Sequence, residues 1–210
     1  MTMATLTAPP GTELSPDQAL EILKEGNRLF VAGKGVRPQQ TGAERRAALA
    51  HAQRPFCVLV GCSDSRVSPE LLFGRGLGEL FIVRNAGNVV DLAAMGSIEY
   101  GVAVLGAPLV VVLGHERCGA VQAAVDVVEK DTEFPGSIGQ MIEPILPAVL
   151  RAKREGEHDL LDRAVRHNVA RIVERLRGTE QMLQEPLRQG RLKIVGARYD
   201  LDDGVVEFFE

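Results

Sequence analysis

The chain has 210 residues, enough for one domain with a sizeable core, and carries 28 acidic against 24 basic side chains. Its basic residues form no runs, which removes the electrostatic footprint of a nucleic-acid binder and points to a small solute as the partner. No stretch reaches the roughly 18 to 20 consecutive apolar residues that span a bilayer, and the opening MTMATLTAPPGTELSP has neither a basic nor an apolar leader region, so a soluble, cytoplasmic protein is expected.

Residues 1–14, rich in Thr, Pro and Ala without periodicity, read as a flexible arm, and 15–210 as a single domain. Ser15 followed by Pro16 is a helix start, and Leu20, Leu23 and Phe30 recur at helical spacing until GKG, which predicts a helix over 16–32. A second helix is expected over 42–52. The run FCVLVG (56–61) is apolar without alternation, the pattern of a strand buried on both faces. Two more such runs, LFIVRN (80–85) and PLVVVLGH (108–115), flank the helical segment 91–105, and strand, helix, strand implies parallel pairing with a right-handed crossover. GRGLG at 74–78 precedes a strand rather than following one, so it reads as a turn and not as a nucleotide loop.

Gly119 to about Lys130 continues as helix, and 136–189 hold further helical stretches interrupted by Pro144, Pro147, Gly156, Gly178 and Pro186, read as scaffold. Two β-rich runs joined by DLDDG close the chain as a hairpin. The predicted class is α/β: a mostly parallel central sheet of about four parallel strands plus an antiparallel edge strand, flanked by helices, with an N-terminal helical arm.

Three cysteines are too few and too unevenly spaced for a disulfide framework, and a reducing compartment would keep them as thiols. Cys57 lies inside an apolar run and is assigned to the core. Cys62 follows the first buried strand, while His115 and Cys118, in GHERCGA, follow the third. Both sets therefore sit at strand carboxyl ends, where open parallel sheets bind ligands. Two thiolates and an imidazole suit zinc, and three protein ligands are the pattern of a reactive metal that keeps a position for water. Taken singly these residues are as readily core positions, and a redox pair of Cys62 and Cys118 is the other alternative, but no Cys-X-X-Cys motif supports it. Alternation along an extended segment puts Asp64 and Arg66 on the side of Cys62, where the arginine can hold the carboxylate away from the metal. Released, Asp64 could become a fourth ligand and close the site.

CSDSR at 62–66 together with GHERCGA at 114–120 resembles the β-class carbonic anhydrases, and the likeness runs from about Ala19 to the closing hairpin through GNRLFVAG, LGELFIVRNAGN and GSIEYGVAVLGAPLVVVLGH. The resemblance implies a zinc enzyme, one Zn2+ per chain, that reversibly hydrates carbon dioxide to bicarbonate and a proton by attack of zinc-bound hydroxide. It implies Cys62, His115 and Cys118 as ligands, Asp64 and Arg66 as the catalytic dyad, and Gln53, Phe81, Ala86, Tyr100 and the Gly119 amide around the substrate. It further implies that part of this lining comes from a second subunit, in homodimers or dimers of dimers, with the first helix and the arm before it as the exchanged element. Arg84 matches an arginine of a separate bicarbonate site found in some members, but Leu59 stands where that site has a tryptophan, so inhibition through it is not expected. His51, His158 and His167 are the imidazoles available to carry protons, and nothing in the sequence places one at the metal. The alternatives are a carbonyl sulfide or carbon disulfide hydrolase on the same fold, against which Gln53 speaks, and a zinc-stabilised binding protein without turnover, against which the dyad speaks.

Overall fold

The apolar runs become the centre of a five-stranded sheet because their residues can be buried on both sides. The computed structural model describes residues 14–34, 41–156, 158–178 and 181–209, and of Gln181 the backbone alone; the expected arm thus falls, but for Leu14, outside the described residues. Strands β1 (Cys57–Cys62), β2 (Leu80–Asn85), β3 (Leu109–His115) and β4 (Lys193–Tyr199) are parallel, and β5 (Val206–Phe209) runs antiparallel at the edge. Their order is β2, β1, β3, β4, β5, so the chain reverses direction across the sheet at β1 and leaves a crevice between the carboxyl ends of β1 and β3.

Every residue of β1 and β3 is buried. The run LFIVRN departs from expectation: β2 is the sheet's other edge and stays half-exposed, since its outer side has no strand to pair with.

Helix α1 (Pro16–Val31) starts as expected, with Ser15 and Gln18 closing a reciprocal capping box. It buries Ala19, Leu20 and Leu23 against its own chain's sheet and shares that layer with Cys57, Leu59 and Val111. α2 (Ala43–Leu49) is shorter than expected and buries nothing, while α3 (Pro69–Leu72) is a single turn packed beside α1. The opposite face of the sheet is covered by α4 (Leu92–Glu99), which continues as a π-helical turn over Tyr100–Val104, and by α8 (Leu160–Gly178).

α5 (Gly119–Lys130), α6 (Ser137–Ile142), α7 (Leu146–Arg154) and α9 (Gln181–Arg188) complete the described helices. Pro147 sits in the first turn of α7, where no N–H is needed. Pro186 does not interrupt its helix but lies within α9. At the carboxyl end of the sheet a third apolar cluster joins Cys62 and Cys118 to Val121, Ile145, Val149 and Val165, so the crevice is floored by α5, α7 and α8. Among the described residues no helix is long and apolar enough to cross a membrane.

Candidate metal centre and active site

β1 delivers Cys62 and β3 delivers His115 to the crevice, and the turn after β3 brings Cys118 back as the N-cap of α5. Arg117 makes that turn with φ 51°, a left-handed conformation that places its neighbours on opposite sides of the reversal. The ligand atoms of Cys62, His115 and Cys118 lie within 4.8 Å of one another, and all three residues are buried. The two sulfurs are 4.0 Å apart, close to the roughly 3.8 Å that two thiolates span on a tetrahedral ion with bonds of about 2.3 Å.

The imidazole is oriented for the same purpose. His115 Nδ1 donates to the Glu116 carbonyl at 2.9 Å, which leaves Nε2 with its lone pair, buried and without a hydrogen-bond partner. The thiols are poised unequally. Cys62 is pulled far below the ordinary thiol range because it accepts from Cys118 and from the Gly87 amide, and Cys118 is pushed far above it by Cys62 and by burial. Two buried sulfurs so close share one proton and give up both most readily to a cation. The donor set and the orphaned nitrogen therefore fit zinc.

Asp64 and Arg66 meet beside this cluster, though by a different route from the one expected. The chain does not stay extended: Asp64 Oδ1 accepts from the Arg66 backbone N–H at 2.9 Å, and the Val67 N–H donates to the Asp64 carbonyl, a turn in which an aspartate folds back on the residue two ahead. The guanidinium then grips both carboxylate oxygens, Nε to Oδ1 at 2.9 Å and Nη2 to Oδ2 at 2.7 Å. Hydrogen bonding from Arg66 holds the Asp64 carboxyl well below the usual carboxylate range, so it is ionised at neutral pH. Its Oδ2 lies 3.9 Å from His115 Nε2, next to the triad but turned to the arginine.

Arg84 braces this turn, donating through Nε to the Cys62 carbonyl and through Nη2 to the Asp64 carbonyl, both at 2.8 Å. Ala86 opens the turn after β2, and the following residue, Gly87, points its N–H at Cys62 Sγ, 3.3 Å away. Gly119, exposed, is the first residue of α5 and so presents a free-ended helix amide beside Cys118.

The remaining lining candidates are elsewhere in the chain. Gln53 is exposed and precedes β1, so the whole strand separates it from Cys62, about 20 Å at 3.3 Å per residue. Phe81 pairs with Val58 near the start of β1, and its ring lies 6.0 Å from that of Tyr100, which is 46% exposed. One chain thus gathers Cys62, Asp64, Arg66, Ala86, His115, Cys118 and Gly119, and leaves Gln53, Phe81 and Tyr100 together toward the amino ends. A cavity of about 570 Å³, lined by Arg54, Phe56, Pro108 and Arg191 among others, also lies at those amino ends and contains none of the triad. His158 pairs with Asp159 at 2.6 Å and His167 with Glu155 at 2.9 Å, while His51 is exposed before β1.

Sequence reasoning connected Arg84 only with a separate bicarbonate site and not with this turn, and it passed over the Gly87 amide and Asn168, whose Nδ2 donates to the Gly87 carbonyl at 3.0 Å. The last had one visible signal, a single polar residue within the apolar stripe of α8.

A family model described as carbonic anhydrase matches residues 57–206. The chain is 44% identical over 190 residues to carbonic anhydrase 2 of Mycobacterium tuberculosis, covering 90% of this chain and 91% of that protein. It is 43% identical over 193 residues to the carbonic anhydrase of Mycolicibacterium smegmatis, covering 92% and 93%. Among solved structures, one of two tetrameric β-carbonic anhydrases from Sordaria macrospora superposes with a TM-score of 0.73 at 24% identity over 88% of this chain and 93% of that one, which bears on the fold.

Proposed function

The chain is a member of the β-class carbonic anhydrase family, a family of lyases, and from that premise we propose that it hydrates carbon dioxide reversibly to bicarbonate and a proton, with zinc held by Cys62, His115 and Cys118. The observation that carries the reading is the buried Cys62, His115, Cys118 cluster with an ionised, arginine-held Asp64 at its edge.

Zinc, when bound there, supplies the Lewis acidity that makes hydroxide available from water near neutral pH, about 7 in favourable sites. With zinc in place, Asp64 would accept a hydrogen bond from the nucleophilic oxygen and orient it toward carbon dioxide, while Arg66, which holds both carboxylate oxygens, would keep Asp64 from becoming a ligand. The carboxylate can do this across the neutral range because it does not need to titrate. Ala86 gives the small apolar substrate a wall, and the Gly119 N–H meets an oxygen of the bicarbonate product. The proton passes to solvent or buffer.

Gln53, Phe81 and Tyr100 reach such a site from a second copy of the chain. Their shared position at the opposite end of the sheet, the half-exposed edge strand β2 and the exposed Tyr100 ring support a homodimer, alone or paired into a dimer of dimers.

Stopped-flow carbon dioxide hydration by the zinc-loaded protein, scanned from below to above neutral pH, tests the function. Fast turnover that rises with pH is expected. Zinc-loaded protein with no hydration at any pH, or one that turns over carbonyl sulfide alone, contradicts it.

A further inference from the structure

We infer that Asn168, on α8, is a positioning residue for the metal site, holding the Gly87 peptide so that its N–H stays directed at Cys62 Sγ. The inference rests on the proposed zinc site and adds a residue from a helix that reads as scaffold.

The buried stripe of α8 is Ala164, Val165, Asn168, Val169, Ile172, Val173 and Leu176, and Asn168 is the one polar member. At 3% exposure its amide has little access to water, and a buried amide is costly unless it is bonded. It spends its Nδ2 donor on the Gly87 carbonyl, 3.0 Å away.

Gly87 is where this bond acquires a consequence. With φ 71° and ψ 17° the residue is left-handed, which turns its two flanking peptides apart: the carbonyl faces α8 while the N–H faces Cys62 Sγ at 3.3 Å. A Cβ at Gly87 would meet Ile145 Cδ1 at 2.7 Å and Ala120 Cβ at 3.0 Å, so the turn is held from the other side too. Fixing the carbonyl end of such a residue fixes its amide end. An N–H donated to a thiolate sulfur withdraws charge from it and holds its rotamer, and partners of this kind set ligand strength as well as orientation. Asn168 acts through Gly87 and touches none of the three candidate ligands in any hydrogen bond described.

The test compares Asn168→Ala and Asn168→Leu with Val173→Ala, a core truncation five residues further along the same helix. Each protein is stripped of metal and titrated with zinc against a chromophoric chelator, then loaded with cobalt(II) for its sulfur-to-metal charge-transfer band. Asn168→Ala is expected to weaken zinc binding by about 10- to 100-fold and to move the band to longer wavelength, because a sulfur relieved of a donor is the stronger electron source. Should Asn168→Ala not fold, Asn168→Leu keeps the volume without any donor and should produce the same two changes. Val173→Ala should lower the thermal midpoint and leave both readouts at the wild-type value. An Asn168 variant with wild-type zinc affinity and band, or a Val173→Ala variant that shifts them equally, overturns the inference alone. A wild-type protein that binds neither metal overturns the zinc reading as well.

Discussion

At the scale of single residues, His115 Nε2 is the atom with the fewest alternatives: buried and without a hydrogen-bond partner, on a ring with a ligand nitrogen within 4.8 Å of two sulfurs. If the three residues hold zinc, His115→Ala or Cys118→Ser should lose bound metal and carbon dioxide hydration together, with activity down by more than about 100-fold. Metal analysis beside stopped-flow rates checks this, and full activity in zinc-depleted Cys118→Ser contradicts it. Asp64 should behave differently, since its carboxylate faces Arg66 and not the cluster. Asp64→Asn is expected to keep zinc affinity within a few-fold while kcat falls by about 10²- to 10⁴-fold. Equal losses of zinc and rate would assign Asp64 to metal retention instead. The triad and the dyad were legible in the sequence because each lies in a short segment directly after an apolar run. The turn that joins Asp64 to Arg66 was not, because an Asx hydrogen bond replaces the extended backbone with one the same letters also permit.

At the scale of elements, the strands were readable where burial on both faces leaves an unbroken apolar run, as in β1 and β3. β2 has the same kind of run but ends the sheet, and which strand lies at an edge depends on the order of pairing, which no single run encodes. Asn168 was passed over for a related reason: its partner, Gly87, is 81 residues away in sequence. Close packing between elements yields a prediction of its own at Gly26, on the buried face of α1. A Cβ there would stand 1.9 Å from the Phe73 carbonyl oxygen, a backbone atom that cannot turn aside. Gly26→Ala should therefore force α1 away from the turn after α3 and cost about 1–3 kcal/mol, read as a lower urea midpoint. An unchanged midpoint would mean that α1 does not pack this closely against the turn after α3.

At the scale of the whole molecule, exposed carboxyls are held below their usual range by arginine partners: Glu207 by Arg166 and Asp202 by Arg117. A depressed folded-state pKa means that the unfolded chain binds more protons, so these pairs stabilise the fold above about pH 4 to 5 and lose that contribution as pH falls. The thermal midpoint should fall on acidification below that range, less steeply in high salt because the pairs are largely exposed. A midpoint that rises toward low pH contradicts this. The division of the lining between two ends of the sheet makes a prediction about assembly. A Gln53→Ala chain keeps its own triad, and a Cys118→Ser chain keeps its own Gln53, so mixing the two under exchanging conditions should restore activity beyond the sum of the separate proteins if Gln53 serves the neighbouring chain's site. No gain on mixing would place Gln53 in its own chain's site or outside the chemistry. The central claim, that carbon dioxide hydration depends on a metal at Cys62, His115 and Cys118, is tested most directly by adding zinc stepwise to the metal-free protein and following hydration at each step. The account predicts a rate that rises in proportion to zinc and levels off at one ion per chain. A rate that is present without metal, or that stays at background after one ion per chain has bound, would contradict it.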